Sequence, residues 1–227
     1  MEMTTHSTPN AQIRSFFLEG PAGRLEALLN AGKPDAQFAA VVCHPHPLYG
    51  GTMHNKVVYN AMKALRGFGF PVLRFNFRGT ELSEGEHDYG AGERQDVQTA
   101  LEWLKHEFSL PLIFAGFSFG AAVGLRAACP DPDVKALISL GTPVAAEGRS
   151  YTYEFLNECA KPKLFVSGDR DQFGPAERLY EVTAAAAEPK RFVLIHGADH
   201  FFAGQLESMK SAIEFWVRDT LLQPQRQ

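Results

Sequence analysis

The stretch Leu112-Ile113-Phe114-Ala115-Gly116-Phe117-Ser118-Phe119-Gly120-Ala121-Ala122-Val123-Gly124 constrains the fold of this chain more than any other. An apolar run ends in Gly116-Phe117-Ser118-Phe119-Gly120, and an Ala/Gly/Leu-rich helical pattern begins at once. Strand, tight turn and helix in immediate succession force the central serine into a strained backbone conformation, and side chains at the flanking positions would collide with neighbouring chain. Glycine at 116 and 120 removes those collisions. The Ser118 hydroxyl then projects above the sheet edge, and the helix beginning at Phe119 aims its free N–H groups and positive dipole end toward it. A serine so placed is a candidate nucleophile if a base and an acid stand elsewhere in the chain.

The rest of the pattern supplies a sheet for that turn. Gln12 to Leu18 and Arg24 to Leu29 read as a strand hairpin, and the continuous apolar run Phe38 to Cys43 as a strand buried on both faces. After the loop His44 to Thr52, a helical pattern runs from about Asn55 to Arg66, with Val57, Val58, Ala61, Met62 and Leu65 on one face. Further strands are expected at Pro71–Phe77, Val134–Leu140, Lys163–Ser167 and Arg191–Ile195. Helices are expected at Glu93–His106, from Phe119 to Ala128, and at Ala176–Ala186 and Gly204–Leu222. This alternation predicts an α/β fold, a mostly parallel sheet of about eight strands with helices on both faces. Residues 12–222 read as a single domain and 1–11 as a flexible N-terminus.

Composition excludes several roles. Hydrophobic residues make up 45% of the chain, enough for a large core, and a net charge of −4 argues against nucleic acid as a partner. No apolar run is long enough to span a bilayer, and Met1 to Asn10 lacks the apolar core of a secretory signal. Cys43, Cys129 and Cys159 are odd in number and widely spaced, which reads as reduced thiols in a cytoplasmic protein. Nothing in the composition specifies an oligomeric state.

In a parallel sheet the partners of Ser118 belong at the carboxyl ends of later strands, in the order acid then histidine. The strand Lys163–Ser167 ends in Gly168-Asp169-Arg170-Asp171. Asp171, deeper in the turn, is the preferred acid, and Asp169 is the alternative. The last strand ends in His196-Gly197-Ala198-Asp199-His200. His196, on the strand's end, suits a structural hydrogen bond, whereas His200 on the turn beyond can reach back to Ser118. His44, His46 and His54 could be read as metal ligands, but Pro45 and Pro47 stiffen their loop and no further ligand spacing appears, so no metal and no cofactor is expected. For an oxyanion hole, one donor should be the N–H of Phe119. The second should come from the loop His44 to Thr52, where Pro45 and Pro47 have no N–H, which leaves His46 as the donor nearest the strand end, with Leu48 behind it.

Nearly the full length, from about Gln12 to Leu222, resembles the α/β-hydrolase superfamily. His44-Pro-His-Pro-Leu-Tyr-Gly-Gly-Thr-Met-His-Asn-Lys-Val-Val58, Arg74-Phe-Asn-Phe-Arg-Gly79 and Gly116-Phe-Ser-Phe-Gly120 are similar to small bacterial hydrolases related to the dienelactone hydrolases and prolyl-oligopeptidase-like esterases. The resemblance implies Ser118 as nucleophile, Asp171 as acid, His200 as base, and cleavage of small carboxylic esters. A peptidase, a thioesterase or a non-catalytic binding protein on the same scaffold are the alternatives. One departure is that dienelactone hydrolases carry cysteine where this chain has Ser118. The short segment between Leu140 and Lys163 predicts a minimal lid. The open cleft would be partly roofed by Tyr49, Tyr151, Tyr153, Phe155, Phe201 and Phe202, at least half of which are expected to pack in the core instead, with Tyr49, Phe117 and Phe201 as candidate substrate-binding residues. The acidic loop Glu81 to Asp88 is expected to be solvated.

Overall fold

A computed structural model describes residues 13–146 and 149–223; the segment expected to be a flexible N-terminus lies outside the described residues. Chain order begins with the hairpin β1 (Ile13–Gly20) and β2 (Gly23–Asn30), followed by β3 (Ala39–Cys43), α1 (Lys56–Gly67) and β4 (Val72–Phe75). Then come α2 (Ala91–Phe108), β5 (Leu112–Phe117), α3 (Phe119–Ala128) and β6 (Val134–Leu140). A two-residue pair, β7 (Ala145–Ala146) and β8 (Arg149–Ser150), precedes β9 (Lys163–Gly168), α4 (Ala176–Ala185), β10 (Lys190–Ile195) and α5 (Leu206–Trp216). Eight strands form one sheet in the order β1-β2-β4-β3-β5-β6-β9-β10. β2 runs antiparallel to both of its neighbours, and every other pairing in this sheet is parallel.

The central strands are apolar at every position because both of their faces are covered. Alternation along β3 and β5 sends Val41 and Phe114 to one core, with α2 and α3, and Val42 and Ala115 to the other, with α1 and α5. α1 begins where the Asn55 side chain accepts the Val57 N–H at 2.9 Å, and it buries the apolar face read from its spacing. α2 starts two residues earlier than its pattern suggests, because Glu93 reaches back to accept the Gly90 N–H at 2.7 Å. The carboxyl terminus of α5 departs from the expectation as well, passing into a π-helical turn over Val217–Leu221.

Parallel register decides where the loops emerge. Cys43 pairs with Gly116, Phe117 with Leu140, and Gly168 with Ile195. The loops after β3, β5, β9 and β10 therefore leave the sheet along one edge. No large insertion covers that edge; among the described residues, the segment between β6 and β9 holds only the β7–β8 pair and a 3-10 turn, Glu154–Asn157. Glu84, in the acidic loop, is not merely solvated: it pairs with Arg24 at 2.8 Å and fastens the loop to β2.

One expectation fails in this region. Cys129, just past α3, and Cys159, before β9, are joined by a disulfide with Cα atoms 6.1 Å apart, and only Cys43 is free. Their separation of 30 residues carries no spacing signal. The sheet order brings them together, which sequence spacing does not show.

Candidate active site

Ser118 occupies φ 54°, ψ −121°, a conformation that L-residues avoid, between β5 and α3. The turn is too tight for side chains on either flank. A Cβ at Gly116 would lie 2.7 Å from Ala121 Cα, and one at Gly120 would run into the His44 carbonyl. Strain of this kind costs roughly 1–3 kcal/mol and persists because the packed strand and helix fix both ends of the turn.

Across the sheet edge, Ser118 Oγ donates to His200 Nε2 at 2.9 Å, and His200 Nδ1 donates to Asp171 Oδ2 at 2.8 Å. Asp171 also accepts the N–H groups of Phe173 at 2.8 Å and Gly174 at 3.1 Å, and the Ser167 hydroxyl at 3.3 Å. Both Asp171 and His200 are buried, so the carboxylate is held by four donors instead of water. The imidazole is clamped between aromatic rings, Phe117 at 5.0 Å and Phe173 at 4.7 Å between centroids. A hydroxyl, an imidazole in the correct tautomer and a fixed carboxylate can pass a proton away from an attacking oxygen. The alternative acid, Asp169, instead faces His196 at 2.6 Å and accepts the Gly197 N–H at 2.7 Å, so His196 serves the structural bond expected of it.

The loop after β3 is pinned from below. His44 Nδ1 donates to the Pro45 carbonyl at 2.7 Å, and its Nε2 accepts the Phe77 N–H at 2.9 Å. One neutral tautomer satisfies both bonds, and burial lowers the His44 pKa to about 3. With both ring nitrogens engaged, His44 has none left for a metal. His46 follows at the edge of the cleft with its ring 4.6 Å from that of Phe119. The His46 pKa is lowered to about 4, first by burial and then by the charges of Arg149 and His87. No described group accepts the backbone N–H of His46 or of Phe119.

The cleft, about 380 Å³, is lined by Ser118 and His200 together with Pro45, His46, Tyr49, Phe119, Arg149, Tyr151, Phe173 and Phe201. Tyr49 is 73% exposed and Phe201 52% exposed, standing as the expected rim. Phe117 lies beneath His200, fully buried, and does not line the cleft. Three of the expected roof residues belong elsewhere. Phe202 packs in the core under α5, the buried Tyr153 donates to the Pro143 carbonyl at 2.6 Å, and Phe155 lies 4.6 Å from the Arg126 guanidinium. Arg149 and Phe173 were not foreseen. Arg149 sits in a stretch without periodicity, whereas Phe173, two residues beyond Asp171, was accessible to the same strand-end reasoning.

Fold and relay together are those of a serine hydrolase of the carboxylesterase type. The family model described as an alpha/beta hydrolase domain matches residues 39–219, and the chain belongs to that family. It is similar to a solved alpha-beta serine hydrolase homologue from Coxiella burnetii, with 38% identity and a TM-score of 0.82 over 89% of this chain and 96% of that one. It is also similar to a Xanthomonas campestris protein described as a serine hydrolase without lid, with 32% identity and a TM-score of 0.83 over 96% of this chain and all of that one. An uncharacterized protein of Rickettsia prowazekii is 36% identical over 89% of this chain and 87% of its own length. No described helix is long and apolar enough to cross a membrane.

Proposed function

We propose that residues 12–222 act as one catalytic domain that hydrolyses small carboxylic esters through an acyl-enzyme. Ser118 Oγ attacks the ester carbonyl while His200 Nε2 takes its proton and Asp171 steadies the imidazolium. The oxyanion forms against the N–H groups of Phe119 and His46, each donor worth roughly 3–4 kcal/mol. His200 then protonates the departing alcohol, and water repeats the sequence on the acyl-enzyme, so the chemistry calls for no cofactor. Tyr49 and Phe201 border the substrate, and Phe117 positions His200 from beneath. The observation that carries the reading is the unbroken path from Asp171 through His200 to a serine held at φ 54°.

Within the superfamily we place the chain near the dienelactone hydrolases and prolyl-oligopeptidase-like esterases, although Ser118 in place of cysteine argues against dienelactones as substrates. A cytoplasmic location loses the support of three reduced thiols, since the Cys129–Cys159 bridge suits an oxidising compartment. The function does not depend on it. A fluorophosphonate probe is expected to label the folded protein at Ser118 and to leave Ser118→Ala unlabelled. A folded, unlabelled native protein would mean a binding scaffold and not an enzyme.

A further inference from the structure

Beyond His46, Phe119, Arg149 and Tyr151, which border it on both sides, the cleft adjoins a second cavity of about 550 Å³. Its charge distinguishes it. Arg94, Arg126 and Arg149 all line it, and no Asp or Glu does so among the described residues. Arg126 is held through Nη2 by the Thr152 carbonyl and hydroxyl at 2.6 and 2.7 Å, and Arg149 donates to the His46 ring. Those contacts use only part of each guanidinium fork, which carries five N–H donors. The Arg94 guanidinium has no partner among the described residues. Three arginines thus border one cavity in a chain whose net charge is −4, and two of them, Arg94 and Arg126, also border a neighbouring cavity that holds Glu158.

Stereochemistry says which end of an ester would reach it. The leaving oxygen must face His200, which lines the cleft and not the second cavity. The oxyanion points to the backbone donors of His46 and Phe119. The acyl chain would take the remaining direction, past Arg149, which borders both cavities. We propose that the arginine-lined cavity receives a carboxylate carried on the acyl part of the substrate, so that the preferred esters are half-esters of dicarboxylic acids. Water cleaves such a half-ester to the diacid and the free alcohol, and the arginines hold the distal carboxylate through bidentate bonds. This rests on the serine-hydrolase reading of the cleft.

Two probes of matched length test it, monoethyl adipate and uncharged ethyl 6-hydroxyhexanoate. The ratio of kcat/KM, followed by ethanol release, is expected to favour the charged ester at least about tenfold in the native protein, and to fall at least about fivefold in Arg94→Gln. Arg94→Lys should restore part of the ratio, and added salt should lower it. Calorimetry on Ser118→Ala gives a second readout without turnover, with the half-ester expected to bind at least about tenfold tighter than the neutral ester. Ratios within about twofold of unity in both measurements, or a ratio unmoved by Arg94→Gln, would overturn the proposal. If neither ester were cleaved while Ser118→Ala still selected the half-ester, the hydrolase reading would fail and the anion cavity would stand.

Discussion

Asp171 meets His200 at 2.8 Å and Asp169 meets His196 at 2.6 Å, so the loops after β9 and β10 hold two carboxylate–imidazole pairs side by side. Chemically they are the same pair. Their surroundings differ: the His196 side chain is 96% exposed, whereas that of His200 is 6% exposed and wedged between Phe117 and Phe173. Water screens the outer pair, which leaves it worth roughly 0–1 kcal/mol. The inner pair works in a medium where Asp171 must be satisfied by four fixed donors, and where the far nitrogen of the ring has Ser118 as its partner. A short Asp–His distance alone therefore marks no catalytic centre; burial and a third partner do.

The largest way to break that comparison is Asp171→Asn. It keeps the shape of the turn but presents an amide to His200, which favours the wrong tautomer, and hydrolysis of p-nitrophenyl butyrate is expected to drop about 10⁴-fold. His44→Ala tests the buried histidine on the other side of the cleft. It strips the Phe77 N–H of its acceptor and leaves a void, with an expected loss of about 3 kcal/mol in urea denaturation at neutral pH. The same histidine gives a pH signature. The unfolded chain takes up this proton near 6.5, and the folded chain only at about 3. The stability it contributes is thus fully present above pH 6.5 and drains as the pH falls toward 3, and the variant should show a shallower loss across that window. Reducing the Cys129–Cys159 bridge should lower stability by about 2–4 kcal/mol, seen as a fall in Tm of roughly 5–10 °C. The smallest effect belongs to the outer pair, where Asp169→Asn should leave ester turnover within about threefold; a loss comparable to that of Asp171→Asn would erase the distinction between the two carboxylates.

Much of the inner pair was legible before any coordinates. The G-x-S-x-G turn, the order acid then histidine, and the preference for Asp171 and His200 over Asp169 and His196 all follow from strand ends, because a parallel sheet ties position along the chain to position along one edge. Short apolar runs separated by helical patterns likewise anticipate the eight strands of the main sheet. The rim was less legible. Phe202 and Tyr153 look in sequence like any aromatic residue near a cleft, and only packing sends them inward. Arg149 stands in the β7–β8 segment, where no periodicity reports its direction. The Cys129–Cys159 contact depends on β6 and β9 being neighbours, a fact of sheet order and not of spacing.

The stapled, abbreviated connection between β6 and β9 also bears on kinetics. With Cys159 covalently tethered beside the end of α3, the described part of this connection forms no cap over the nucleophile. Ester molecules dispersed singly in water and those gathered in droplets then meet the same hydroxyl with no cap domain to lift, so velocity should climb smoothly through the solubility limit, with no jump at the oil–water boundary.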